Sequence, residues 1–267
     1  AQFMIGALAN METYIAYNIL TILCCASLLP LTLTKVQQPA TPSTTRLRPM
    51  LAWRASPLAV AGVLVAALSS ASFRMVGPIY GQEVGLGADQ IGYFLAAFVA
   101  GGALAQYPMG WLADKYDRRW VLIGLSIAAV VSCALTVASS QMGTTAVMLS
   151  AVLFGLTTFP VYSVATAHAH DFATDDQRVE LSAALMFFYA VGAIAAPYTT
   201  SKLIAAFGPG ALFTFISVGH IVLVIFGLSR MRVRAAPSER TRYVYAPRTS
   251  FVIGRLLGRT RERSQKE

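Results

Sequence analysis

The sequence predicts an all-α, polytopic membrane protein, on three observations. Only 12% of its 267 residues are charged and 56% are apolar, with a mean hydropathy of +0.59. Water-soluble globular domains carry about 25% charged residues. Seven apolar stretches each approach the ~20 residues that a helix needs to cross a bilayer. The basic residues, which set a formal net charge of +9, crowd into a few connecting segments, as in proteins that orient themselves across membranes.

The first stretch, Tyr14 to Thr34, is unbroken until a polar segment begins at Lys35. The second runs from Pro57 to Tyr80. The third, Ile91 to Ala113, follows EVGLGADQIG, in which Asp89 is the expected N-cap and Gly101-Gly102 the expected site of close helix packing. The remaining stretches run from Trp120 to Ser139, Thr145 to Ala167, Leu181 to Ala205 and Gly210 to Ser229. Between the first two lies KVQQPATPSTTRLRPMLAWR, Lys35 to Arg54, rich in Pro, Thr and Arg and read as a flexible linker. The other connectors are short, as expected of antiparallel neighbours.

The segment Ala1 to Leu8 is apolar, with no initial Met and no basic lead. It reads as the end of a preceding helix, not as a signal peptide, and the chain as the C-terminal portion of a longer protein. After Arg230 the sequence turns basic and loses its long apolar runs. Its stretch Ser250 to Arg263 interleaves apolar and basic residues, suiting either an amphipathic helix on a membrane surface or disorder.

With the Lys35–Arg54 linker placed inside and sides alternating thereafter, the inner face collects Lys35, Arg46, Arg48, Arg54, Lys115, Arg118, Arg119, Arg178 and the basic tail. The outer face collects Lys202. This asymmetry predicts a cytoplasmic C-terminus and accounts for the positive charge without nucleic acid. Cys24, Cys25 and Cys133 lie inside apolar runs with no metal-ligand spacing, which predicts buried, inert thiols. No metal, cofactor or enzyme signature stands out: there is no nucleophile elbow, HExxH or P-loop.

The most specific motif is GWLADKYDRR, Gly110 to Arg119, between two apolar stretches. Gly110 suits close helix approach, Asp114 can pair with the Arg residues or accept from a helix N-terminus, and Arg118 and Arg119 suit a cytoplasmic face. The run resembles the loop signature G-x-L-A-D-[RK]-x-G-R-[RK] of the major facilitator superfamily, with Asp117 where that family usually has Gly. QYPMGWLADKYDRR, FGLTTFPVYSVATAHAHDF (Phe154 to Phe172), FFYAVGAIAAPYTTSKL (Phe187 to Leu203) and YVYAPRTS (Tyr243 to Ser250) are similar to its YcaD-like branch. The resemblance implies the end of helix five and helix six over residues 1–34, a cytoplasmic central linker over 35–55, helices seven to twelve over 56–229, and a basic cytoplasmic tail over 230–267. It implies a secondary transporter of a small solute in a bacterial inner membrane, working by alternating access, its cavity completed by a missing N-terminal half. Gly110, Asp114, Lys115, Arg118 and Arg119 would form a conformational latch.

The same resemblance places a cavity wall on helices seven, eight, ten and eleven, where the substrate or coupling candidates are Arg74, Gln106, Tyr107, Tyr162, Ser163, Thr166 and Tyr189. Arg74 is the sharpest, since a charge within a spanning helix costs at least about 2.5 kcal/mol on insertion scales. It suits an anionic substrate, an acid of the missing half, or escape toward the outer surface. Pro78, Pro108, Pro160 and Pro197 suit either bent helices with freed carbonyls or ordinary irregularity. No acidic residue falls inside the seven stretches, so a coupling proton would use a carboxylate of the missing half or a His. His168, His170 and Asp171 form an H-x-H-D cluster that reads as a gate or a helix-end cap; residues two apart on a helix make a poor metal pair. His220 reads as peripheral and bonded to backbone. The alternatives are a seven-helix receptor or sensor, disfavoured as a rhodopsin because the last stretch has no Lys, and a membrane enzyme built on His168, His170 and Asp171.

Overall fold

A computed structural model describes residues 13–33 and 47–233. The preceding segment, most of the central linker and the basic tail with its Ser250–Arg263 stretch lie outside the described residues. The described chain is helical throughout: α1 (Thr13–Leu33), α2 (Pro49–Ala55), α3 (Pro57–Glu83), α4 (Ala88–Lys115), α5 (Arg118–Ser139), α6 (Thr144–His170), a 3-10 turn (Asp175–Gln177), α7 (Arg178–Phe207) and α8 (Ala211–Val233). Helices α3 to α8 are each long and apolar enough to cross a membrane. The protein is therefore a multi-pass membrane protein with a six-helix bundle.

Pro49 opens α2 and Pro57 opens α3, each at a position where its missing N–H costs nothing. Ser56 between them accepts a hydrogen bond from the Ala59 amide at 3.1 Å. The end of the linker expected to be flexible is thus a short helix, which packs on α7. The sequence signal for it was the pair of prolines flanking MLAWRAS. Helix α4 starts at Ala88, so Asp89 sits in the first turn instead of at the cap, and Gln90 Oε1 accepts from the Gly87 amide at 3.0 Å.

Helices α4, α6, α3 and α7 stand in a row, and α5 and α8 pack together behind α6 and α3. The tightest seam joins α4 to α6. A Cβ on Gly101 would lie 2.0 Å from the Val152 carbonyl oxygen, and one on Gly155 2.0 Å from that of Phe98. Gly102 seats the Phe159 ring, which a Cβ there would meet at 2.4 Å. Small residues at such seams let backbones touch, and packing drives association where lipid removes the hydrophobic difference. The expectation of close packing at Gly101-Gly102 holds.

The end of the bundle away from the α4–α5 hairpin is filled by aromatics. Phe73 centres them, with Phe98 at 4.2 Å, Phe94 at 5.0 Å and Phe154 at 5.2 Å between centroids. Tyr80 joins edge-on to Phe213 at 4.8 Å and donates its hydroxyl to the Thr136 carbonyl at 3.0 Å. Small polar side chains cross-link the rest: Ser72–Thr200 at 2.8 Å, Ser132–Thr157 at 3.0 Å and Ser139–Ser150 at 3.1 Å. Bonds of this kind average about 0.6 kcal/mol in membrane bundles.

The helices run on through Pro78, Pro108, Pro160 and Pro197, each proline lacking the N–H that would bond the carbonyl four residues earlier. Two expectations are corrected. Cys24 and Cys25 are exposed on α1, and only Cys133 is buried. His220 is fully buried in α8 and bonds the Ser69 hydroxyl at 3.0 Å, not backbone.

Candidate functional site

The α4–α5 hairpin is built around two arginines with different tasks. Asp117 caps α5, accepting from the Arg119 amide at 3.0 Å. Its φ of −63° is ordinary for an L-residue, so the turn needs no glycine there. Its carboxylate also receives Arg119 Nε and Nη2, at 3.2 and 2.8 Å. The planar guanidinium is held side-on, which is why a buried Arg119 is tolerated.

Arg118 points the other way. Its guanidinium bonds Asp114 at the end of α4 at 3.0 Å, the Asp171 carboxylate at the C-cap of α6, and the Ala167 carbonyl of that helix's last turn at 3.0 Å. A cation at the start of α5 opposes that helix's own dipole. Here the side chain instead reaches the negative end of α6, so one group ties three helix ends together. Lys115 lies apart, over the Trp111 ring at 4.8 Å.

The second cluster lies on the row face of the bundle that α5 and α8 leave uncovered. Successive turns of α6 present Phe159, Tyr162 and Ser163, Thr166 and His170, spaced for one helix stripe. Each meets a neighbouring helix or its own backbone. Arg74 of α3 lies over Phe159, 5.7 Å from the centroid. Gln106 of α4 accepts from Ser163 at 3.3 Å, Tyr189 of α7 meets Tyr162 edge-on at 5.3 Å, and Thr166 donates to the Tyr162 carbonyl at 2.9 Å. His170 pairs through its ring nitrogens with the Thr166 carbonyl at 2.8 Å and Ser182 of α7 at 3.1 Å. Gln106, Gly110, Asp114, Ser163 and Ala167 line a common cleft, so the stripe and the Arg118 cluster are contiguous.

The structure thus brings together six of the seven wall candidates. Tyr107 stands apart: it is 72% exposed and shares the Leu104 and Trp111 face of α4 by helical spacing. Gly110 has no atom within 4 Å of a Cβ added there; its lack of a side chain opens the cleft and brings no described helix closer. The H-x-H pair is divided. His170 faces α7, while His168 is buried, edge-on to Phe172 at 5.2 Å and in a small cavity with Arg119 and Arg230. Among the described residues no group of three His, Cys, Asp or Glu could hold a metal. Sequence reasoning missed Ser182, Ser69 and the Asp171–Arg118 contact, which join residues too far apart in the chain for spacing to reveal.

A family model described as the Major Facilitator Superfamily matches residues 59–261. The chain is 28% identical over 219 residues to the "Uncharacterized MFS-type transporter YcaD" of Escherichia fergusonii, covering 81% of this chain and 56% of that protein. It is 32% identical over 207 residues to YcaD of Escherichia coli (strain K12 / DH10B), covering 76% and 53%. To the "Uncharacterized MFS-type transporter Ent638_1421" of Enterobacter sp. (strain 638) it is 29% identical over 203 residues, covering 75% and 52%. The chain spans about half the length of the curated relatives it matches.

Proposed function

Since the chain belongs to the major facilitator superfamily, we propose that it forms the second half of a secondary transporter that moves a small solute by alternating access. The observation that carries this reading is the stripe along α6. A soluble-side binding surface has no reason to place polar and aromatic groups in the middle of a spanning helix, whereas a solute crossing a membrane needs partners there. A first half, packed over the uncovered row face, completes the cavity. The role is transport, not catalysis, and no observation favours the seven-helix receptor.

The Arg118 cluster is the latch of this cycle. Asp114, Arg118 and Asp171 hold the ends of α4, α5 and α6 in one arrangement, and rocking of the two halves exchanges these bonds for others. The crowding of basic residues at that end supports a cytoplasmic orientation in a bacterial inner membrane, with the C-terminus on the same side. If transport is coupled to protons, the coupling group is a carboxylate of the first half or a histidine of this one.

The test is flux through the full-length protein in proteoliposomes, using a solute identified by screening. Asp114→Asn removes one charged partner of Arg118; the expected result is flux reduced by tenfold or more, on the order of the 1.5–3 kcal/mol of a charged hydrogen bond, with normal membrane insertion. Unchanged flux in that variant overturns the latch, and the absence of any flux across a broad solute panel overturns the transporter reading.

A further inference from the structure

Of the Asp, Glu, Lys and Arg residues in the spanning helices, Arg74 lies furthest from a helix end. It is four residues from the middle of α3, or about 6 Å along the axis. Its direction decides what it does. Gly62 of α3 touches Ala165 of α6. From that contact, 1.5 Å per residue puts the Arg74 Cα about 18 Å along α3 and Phe159 only about 9 Å along α6. The guanidinium is nevertheless over the Phe159 ring. The side chain therefore runs back toward the Pro57 end, the way helical side chains tilt, and toward the mid-depth of the bundle, where it stays exposed. Escape to the near surface is the opposite direction.

The guanidinium is also uncompensated. Among the described residues it makes no hydrogen bond or ion pair, and no carboxylate lies on the interior turns of any described spanning helix. The cation–π contact with Phe159 at 5.7 Å leaves the group's five N–H donors without an oxygen partner among the described residues. About one turn along α6 from Phe159, the Tyr162 ring meets Tyr189 of α7 edge-on, and neither hydroxyl makes a hydrogen bond among the described residues. A planar fork of donors with aromatic surface next to it matches a carboxylate carried on an apolar or aromatic body.

We propose that this half of the cavity binds an organic anion, with Arg74 receiving its carboxylate and Phe159, Tyr162 and Tyr189 receiving its apolar body. This rests on the reading that α3, α4, α6 and α7 wall a transport cavity. Phe159 is a positioning residue for the guanidinium as well as a contact surface.

The experiment uses purified full-length protein and three matched probes, benzoate, benzamide and benzylamine, read by thermal stabilisation and by flux in proteoliposomes. Benzoate alone is expected to stabilise. Arg74→Gln is expected to weaken the benzoate response by about tenfold or more, the scale of a lost charged hydrogen bond, and Arg74→Lys to retain part of it. A response to benzylamine, no response to benzoate, or a benzoate response that survives Arg74→Gln overturns the assignment. So does loss of unliganded stability in Arg74→Gln with the benzoate response intact, which would give Arg74 a carboxylate partner within the protein. Flux of benzylamine sinks the anion class and leaves transport standing. Benzoate binding that depends on Arg74 without flux of any solute supports the site and sinks transport.

Discussion

The Ser69 hydroxyl has one proton, and it goes to the Val65 carbonyl at 2.9 Å. The 3.0 Å contact with His220 Nε2 must then run from the imidazole N–H to the hydroxyl oxygen, which fixes His220 as the Nε2–H tautomer. Its Nδ1 is buried without a partner among the described residues, as a bare lone pair and not as a stranded donor. Ser69→Ala is expected to cost about 1–3 kcal/mol by orphaning that donor. The double variant Ser69→Ala, His220→Phe should cost less than Ser69→Ala alone, because it removes both ends of the bond. Thermal unfolding in detergent checks the order, and additive losses would refute the bond. These partners are 151 residues apart, so neither period nor spacing connects them. A separation of 53 residues likewise hid Asp171 from Arg118, although both residues were conspicuous singly.

At the scale of the element, most of the architecture was readable because a spanning helix announces itself by length and polarity alone. The six apolar stretches from Pro57 onward became α3 to α8, and GWLADKYDRR became the hairpin between α4 and α5. Seams between helices are less legible, because a glycine that makes a contact and one that faces open space look alike in sequence. Gly101 and Gly155 lie against carbonyl oxygens, while Gly124 has nothing within 4 Å of an added Cβ. Gly101→Ala and Gly155→Ala are therefore expected to destabilise by at least the 1–3 kcal/mol typical of overpacking, read as loss of the monodisperse peak on size exclusion. Gly124→Ala should elute unchanged. Equal behaviour of the three variants would mean that α4 and α6 do not meet backbone to backbone. Short α2 escaped notice for a different reason: seven residues carry too little apolar periodicity, and the prolines that delimit it also suit a linker.

For the whole molecule, the packing divides the bundle into parts of unequal stiffness. Direct backbone contact makes α4 and α6 one body, carrying both the stripe and two of the three helix ends held by Arg118. A conformational cycle must then leave their spacing alone and move them together. Spin labels on the lipid-facing sides of α4 and α6 in the full-length protein should keep one distance distribution with and without solute, whereas a label pair from α4 to the first half should shift. A change within the α4–α6 pair would overturn this division.

The seat that Gly102 provides for Phe159 reaches further than the seam itself. The ring lies low between α4 and α6 only because one methyl group is missing from α4, and the Arg74 guanidinium rests on that ring. The depth at which the protein holds its most deeply embedded charge is thereby set by a hydrogen atom on a helix that does not carry it. Arg74 is the ball of a three-part joint whose socket was shaped two helices away, so a relative could retune its affinity for charge without altering any residue that touches the solute.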